Sequence, residues 1–506
     1  MNDSLKPTRP TTAIRGAFLS VGMRWTDRLL GILSTVILAR LLIPEDFGLV
    51  AMAMVAVGFF DVLLDLGVSA ALIQHDHAGH EEFSTAWTLR LAQCVVTALL
   101  LVALTPLVAD YYDDPRVLNV LRVAAITVLI GGFENIGTAS FLRNMELGRD
   151  FQFVLFKRLV SVACTIVLAI ALRSYWALIL GSLVSRLVGV GASYRMSRFR
   201  PYLTLSRVST IWAFSQWSLL TGIARYLNGA IPRLVLGGRA NAAALGTYTV
   251  GEEVAMLPTS ELLAPLGRVM FPAFAAAKNS PGELLRLVTL AQAVQAMLAI
   301  PLSLGMVLVA DDAIPLLLGQ QWTAAVPIAQ IVALTGVATA LGYSPGYMLT
   351  VTGRMHVLCC YTWAKTLLLV LLILLVFRGA DAERIAMAGL VTSVVGLVAL
   401  QAIAWKALPG FGGMRFWSQT WRPVLSAALM SAVVFAVSVA LVDAGRLPRL
   451  VAEIGAGALV YSLSTLALWL AAGRPLGAES YSLERVQLWL ARASPISKTR
   501  LRSQRK

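Results

Sequence analysis

Residues 29–68 read LLGILSTVILARLLIPEDFGLVAMAMVAVGFFDVLLDLGV. Two apolar runs flank the polar turn Ile43-Pro44-Glu45-Asp46, and each run is long enough for a helix to cross the ~30 Å hydrocarbon core of a bilayer. The same unit recurs along the chain. Apolar runs interrupted by charge or turn residues predict helices at 15–42, 47–73, 84–109, 117–142, 152–172, 175–196, 208–236, 243–274, 284–310, 324–350, 356–377, 384–406, 422–442 and 450–472. The fold class expected is an all-α polytopic membrane protein of about fourteen transmembrane helices.

Composition agrees. The chain has 506 residues, 58% of them hydrophobic and 14% charged, whereas soluble chains carry about 25% charged residues. Short loops leave no room for a separate catalytic domain. Cys94, Cys164, Cys359 and Cys360 all lie inside apolar runs without metal or redox spacing and read as small core residues. The first apolar run holds Arg24, Asp27 and Arg28 and has no small-residue cleavage site, which argues against a cleaved signal peptide.

The net charge of +15 has a topological reading. With the N-terminus in the cytoplasm, Lys and Arg gather in the cytoplasmic loops, among them Arg149, Lys157, Arg158, Arg198, Arg200, Lys278 and Arg354, and in the basic tail; the opposite loops are acidic at Asp110–Asp114 and Asp311-Asp312. This alternation predicts an even number of spans with both termini cytoplasmic. It explains the basicity without nucleic acid, and attraction to anionic membrane lipids adds to it. The segment Tyr481 to Ala493 reads as an interfacial amphipathic helix.

A shift of 198 residues aligns Ser20 with Ser218, Gly31 with Gly229 and Gly48 with Gly246. The layout expected is a cytoplasmic tail (1–14), a six-helix lobe (15–200), a second, parallel six-helix lobe (201–410), two extra helices (411–475) and a basic cytoplasmic tail (476–506), the lobes being related by a pseudo-twofold axis along the membrane normal.

Charge inside hydrocarbon costs about 2.5–3.5 kcal/mol per residue on the insertion scale, so each such residue faces a cavity or a partner. Helix one carries the stripe Ser20, Arg24, Asp27, Arg28, Gly31, Ser34 and Thr35, and helix seven repeats it with Ser218, Thr221, Gly222, Arg225, Asn228 and Gly229. Helix two adds Asp61 and Asp65, and helix eight Glu252 and Glu253. Paired carboxylates one turn apart need an Arg partner or a proton. The carboxylates Asp27, Asp61, Asp65, Glu252 and Glu253 are therefore candidates for ion coupling or ion pairing, and for Asp61 and Asp65 the bland alternative is a static network with Arg24 or Arg28 that locks helices one and two together. Arg24, Arg28 and Arg225 are candidates to grip a diphosphate, since a planar guanidinium fork matches phosphate oxygens. Arg90, Arg122, Glu134, Arg186, Arg268 and Lys365 read as interfacial or snorkelling. Trp25, Phe59, Phe60, Trp217, Tyr226 and Tyr248 read as packing residues that also offer faces to sugars. His75-Asp76-His77 with His80 reads as a solvated loop rather than a metal site. With no Walker loop, nucleophile elbow or HExxH helix, no cofactor and no catalytic residue are expected.

The run Arg24-Trp25 … Ala39-Arg40-Leu41-Leu42-Ile43-Pro44-Glu45-Asp46-Phe47-Gly48, followed by Asp65-Leu66-Gly67-Val68 and Ala71-Leu72-Ile73-Gln74, resembles the polysaccharide-repeat flippases of the multidrug/oligosaccharidyl-lipid/polysaccharide superfamily, most of all the exopolysaccharide and colanic-acid-type exporters of Gram-negative inner membranes. The resemblance implies a flippase that moves an undecaprenyl-diphosphate-linked oligosaccharide to the periplasmic leaflet by alternating access, coupled to an ion gradient. It places cavity cations at Arg24, Arg28 and Arg225, and a polysaccharide polymerase and a chain-length regulator as partners. Two other readings stay open: a multidrug or small-solute antiporter of the same superfamily, and a membrane-bound polymerase or ligase of polysaccharide assembly.

Overall fold

A computed structural model describes residues 10–64, 79–143, 146–208, 216–377, 379, 381–475 and 477–481. Among the described residues the chain forms helices and turns and no strands. The long helices are α1 (Pro10–Leu41), α2 (Pro44–Leu63), α3 (His80–Tyr112), α4 (Arg116–Gly132), α5 (Leu147–Leu172), α6 (Trp176–Met196), α7 (Gln216–Arg239), α8 (Ala242–Ala277), α9 (Pro281–Leu317), α10 (Ala325–Val351), α11 (Met355–Leu371), α12 (Ala382–Ala407), α13 (Gly413–Ala440) and α14 (Arg446–Ala471). Ten of them are long and apolar enough to cross a membrane, so the chain is a multi-pass membrane protein. The four outside that set are α1, α4, α7 and α8; α4 has 17 residues, and the other three are the helices on which the sequence places polar or charged stripes.

Helix four differs from its expected span. It stops at Gly132, and a 3₁₀ turn (Ile136–Thr138) and a short helix (Ala139–Arg143) follow. The break has a local cause in Gly131-Gly132 and in Asn135, whose side chain accepts from Gly137 N at 2.8 Å and caps the turn. The tail beyond Tyr481, including most of the expected interfacial helix, lies outside the described residues.

The chain divides into two compact units. The first comprises Met1–Thr249 with Leu317–Trp322 and Gly379–Ala382, and the second the remainder. In the first unit α3 packs on α4, α5 on α6, α1 on α5, and α7 on α2. In the second, a core of Phe274, Val288, Met348, Leu349 and Leu400 joins α8, α9, α10 and α12. The extra pair α13 and α14 docks on α9 and α10 through Ala296, Ile300, Leu341 and Ala427, and Tyr461 Oη donates to Met297 O at 2.7 Å. Many large apolar side chains on α11 to α14 are exposed, among them Val398, Phe435 and Val451, as expected of faces turned to lipid.

The turn before α2 organises one end of the first unit. Pro44 occupies the first helical turn, where its missing N–H costs nothing, and Asp46 Oδ2 accepts from Ile43 N at 3.2 Å. The four residues from Glu45 then each reach a different turn. Glu45 Oε1 accepts from Arg116 Nη2 at 2.6 Å, between α3 and α4. Asp46 Oδ1 accepts from Tyr175 N at 2.8 Å, between α5 and α6. The Phe47 ring meets Trp322 edge-on, with centroids 5.2 Å apart, after α9. Gly48 lies against Ala242 at the start of α8: a Cβ on Gly48 would sit 1.7 Å from Ala242 O.

The contact at Gly48 is reciprocal. A Cβ on Gly246 would sit 1.8 Å from Pro44 O. Pro44 and Ala242, like Gly48 and Gly246, are 198 residues apart, so each glycine abuts the residue four positions before the other glycine. Two helix starts touch backbone to backbone, which only residues without a side chain permit. Gly48→Ala and Gly246→Ala should each lower thermal stability in detergent by about 1–3 kcal/mol through forced separation of the helices. Gly229→Ala, whose Cβ would meet nothing within 4 Å, should stay within about 0.5 kcal/mol. Equal melting of all three would refute the contact.

Candidate functional site

The first unit holds a half-open cavity of about 350 Å³ lined from α2, α3, α4 and α6, with Asp61, Arg90, Gln93, Thr127, Ser182 and Arg186 as its polar walls. Beside it, just past the end of α4, stands Glu134, 7% exposed. Three cations from three helices surround this carboxylate. Lys157 Nζ of α5 donates to its Oε1 at 3.2 Å, and Arg90 Nη2 of α3 and Arg186 Nη1 of α6 lie 3.8 Å and 3.9 Å from its Oε2.

Hydrogen bonds of the next residue, Asn135, fix the backbone that carries this carboxylate. Asn135 N donates to Ser193 Oγ at 3.0 Å, and Asn135 Nδ2 to Phe199 O at 2.7 Å. The segment after α4 is thus pinned to α6 and its exit. Low-dielectric surroundings make one ionised carboxylate costly alone and stable beside several cations. Lys157 bonds it directly, while both guanidinium groups stand further off and keep part of their surface open. Three cations thus stand around Glu134, and two of them, Arg90 and Arg186, line the cavity together with the Asp61 carboxylate.

The residues singled out in the sequence fall differently. Asp61 lines the cavity. Asp27 of α1 pairs with Arg158 of α5 at 3.5 Å, so its cation comes from helix five. Gly31 allows this, because its missing Cβ would lie 2.6 Å from Arg158 Nη2. Arg28 is half-buried on α1, and Arg225 is exposed on α7. The Arg24 side chain and Asp65 lie outside the described residues, as do His75, Asp76 and His77. Glu252 and Glu253 sit on the part of α8 that belongs to the second unit. His80 opens α3 with its ring stacked on Tyr202 at 5.5 Å. Tyr226 is a packing residue, its hydroxyl donating to Val55 O at 2.6 Å.

Arg90, Glu134 and Arg186 read in the sequence as interfacial, and Lys157 as one of the cytoplasmic basic residues. The structure gathers all four. A signal was available: no basic residue lies within a helical turn of Glu134 on either side, so its counter-charge had to come from other helices.

Glu134→Ala should destabilise the protein by about 1–3 kcal/mol, since it leaves clustered cations without their carboxylate. Asp27→Ala, which breaks a half-exposed pair, should cost under about 1 kcal/mol. Thermal denaturation of the two purified variants checks the order.

Comparison with known proteins gives the family and the shared fold. A family described as polysaccharide biosynthesis protein matches residues 37–327. The lipopolysaccharide biosynthesis protein WzxC of Escherichia coli is 24% identical over 402 residues, covering 78% of this chain and 81% of that protein. The teichuronic acid biosynthesis protein TuaB of Bacillus subtilis is 24% identical over 412 residues, 80% of this chain and 84% of that one. The succinoglycan biosynthesis transport protein ExoT of Rhizobium meliloti is 25% identical over 301 residues, 59% and 61% of the two chains. Among solved structures, the lipid II flippase MurJ in an inward closed conformation superposes with a TM-score of 0.73 at 12% identity, over 91% of this chain and all of that one. An inward-facing multidrug resistance transporter of the MATE family, in the MOP superfamily, gives 0.57 at 14% identity, over 77% and 98%. These two show a shared fold. The match over residues 37–327 covers more than half of the sequence, and this chain belongs to the polysaccharide biosynthesis protein family of membrane proteins.

Proposed function

We propose that the chain is a flippase that carries an undecaprenyl-diphosphate-linked oligosaccharide repeat unit across a bacterial inner membrane by alternating access, in exopolysaccharide or lipopolysaccharide biosynthesis. It is a transporter, not an enzyme. The observation that carries this reading is the ring of Arg90, Lys157 and Arg186 around Glu134 beside a polar-walled cavity. A diphosphate cannot cross hydrocarbon unaided, and its oxygens suit the two half-open guanidinium forks. The polyprenyl tail needs only lipid. Family membership and the transport named for ExoT support the same conclusion.

Arg24, Arg28 and Arg225 belong to the proposal as further diphosphate ligands, and Asp27, Asp61, Asp65, Glu252 and Glu253 as carboxylates for ion coupling or ion pairing. The two lobes, 15–200 and 201–410, form a parallel repeat, with 411–475 added and a basic tail from 476, and the spans number fourteen. The reciprocal glycine contact at an offset of 198 supports that repeat. Both termini are cytoplasmic. In support, the turns after α1, α3, α5, α7 and α9 all meet the Glu45–Gly48 segment at one end of the first unit, as alternation of spans requires. A polysaccharide polymerase and a chain-length regulator act on what is delivered.

Deleting the gene should stop polymer export and accumulate lipid-linked repeat units with an uncapped cytoplasmic orientation. Arg90→Glu and Arg186→Glu, expressed at normal level, should cut export at least about tenfold, the scale of a lost charge-assisted contact of ~1.4 kcal/mol or more. Wild-type export by both would remove the phosphate-binding reading. Drug export without a polysaccharide phenotype would favour an antiporter instead. Asp61→Asn and Asp65→Asn should alter the dependence of export on the ion gradient; unchanged dependence in both would leave these residues as structural.

A further inference from the structure

The second unit holds a buried charge cluster that the diphosphate reading does not use. Where α9 ends, Asp312, 2% exposed, receives the Arg449 guanidinium of α14 on both oxygens, Nε to Oδ2 and Nη2 to Oδ1. One turn further along α14 stands Glu453, 1% exposed. Its Oε1 lies 4.0 Å from Arg449 Nε, and its Oε2 is buried without a hydrogen-bond partner among the described residues. The groups that face it are Asp311 and Asp312 of α9, Arg449 of its own helix and the Ser438 hydroxyl of α13. Asp311 is exposed and accepts from Gln330 Nε2 of α10 at 2.9 Å.

The balance of charge decides the state of Glu453. One guanidinium serves two buried carboxylates, and its fork is already closed on Asp312. An ionised Glu453 would add an anion beside two others, with one oxygen facing no donor; a protonated acid adds no charge and so avoids the larger of these costs. Arg449 and Glu453 are four residues apart on α14, so the same guanidinium is within reach of either carboxylate.

We propose that Glu453 is a proton-binding site, protonated while Arg449 pairs with Asp312, and that loss of the proton transfers Arg449 from Asp312 to Glu453. In that step the carboxyl O–H bond breaks and the proton leaves toward water at the exposed Asp311. A cross-helix tie between α9 and α14 is exchanged for one within α14. The proton state of one carboxyl therefore sets whether the extra helix α14 is held to α9 at this end. Its bearing on transport, a link between the flipping cycle and the proton gradient, rests on the flippase reading above; the binding site itself does not.

Infrared difference spectroscopy of the full chain in nanodiscs tests the site without any transport. At neutral pH the wild type should show a protonated-carboxyl stretch that Glu453→Gln abolishes. Asp312→Asn frees Arg449 for Glu453 and should abolish the same band, so the test survives if Glu453→Gln folds poorly. Persistence of the band in Glu453→Gln assigns the proton elsewhere, and persistence in Asp312→Asn rules out the transfer; either overturns the proposal. So does an ionised Glu453 at neutral pH whose carboxylate band shifts on adding sodium, which marks a metal cation in place of a proton. In flipping assays Glu453→Gln should lose the pH dependence of the wild type. If neither protein flips lipid-linked oligosaccharide while the band behaves as expected, the flippase reading fails and the proton site stands.

Discussion

Backbone contact at Gly48 and Gly246 is the constraint from which the rest of the first unit follows. Two helix starts can approach until one carbonyl occupies the place of the other's Cβ only when both positions lack a side chain. Once α2 and α8 are fixed there, the three residues before Gly48 have defined surroundings, and each meets a different turn. Asp46 serves as helix cap and cross-turn acceptor at once, Glu45 takes the guanidinium that also grips Asp114, and Phe47 fills the edge of Trp322. Asp61 stands 13 residues further along α2, about 20 Å away at helical rise. The rigid turn at one end of α2 thereby sets where Asp61, a wall of the cavity, lies near the other end.

Two buried carboxylates show how the same dielectric physics leads to opposite outcomes. Glu134 has three cations from three helices, and the surplus positive charge is what a diphosphate would answer. Glu453 has a share of one guanidinium already committed to Asp312, and the surplus negative charge there is answered by a proton. Neither cluster is a strong source of stability, because desolvation offsets most of the Coulomb gain. Their value is specificity: they make the local structure depend on which ion is present.

Most of the helical layout was legible because apolar runs of membrane length have few alternatives, and because Pro44, Pro281 and the glycine pair Gly237-Gly238 punctuate them. The helix-start role of Pro44-Glu45-Asp46 was legible for the same local reason. Helix four ended early because Asn135 caps a turn that hydropathy, averaged over a span, does not register. Pairings across helices were not legible. Asp27 takes Arg158, more than a hundred residues away, and Glu134 takes Arg90, Lys157 and Arg186. A residue's partner across helices depends on how each helix is rotated about its axis, which the spacing of charges along one helix cannot specify. Counting Lys157 and Arg158 as cytoplasmic loop cations hid their pairs with Glu134 and Asp27.

Positions 198 residues apart show the same distinction between backbone and side-chain information. At Gly48 and Gly246 the two copies keep the same contact, since a backbone approach admits no substitute. At Gly31 and Gly229, also 198 residues apart, they differ: the first makes room for Arg158, and a Cβ at the second would meet nothing within 4 Å. Identity at an aligned position therefore reports a shared constraint only where the space is closed in both copies. Where it is open in one, the copies are free to diverge in charge. In this chain that divergence places an ion-paired α1 and α5 beside a cationic cavity in the first unit. Backbone approach fixes the frame where both positions are closed, and side-chain charge is set position by position where one of them is open.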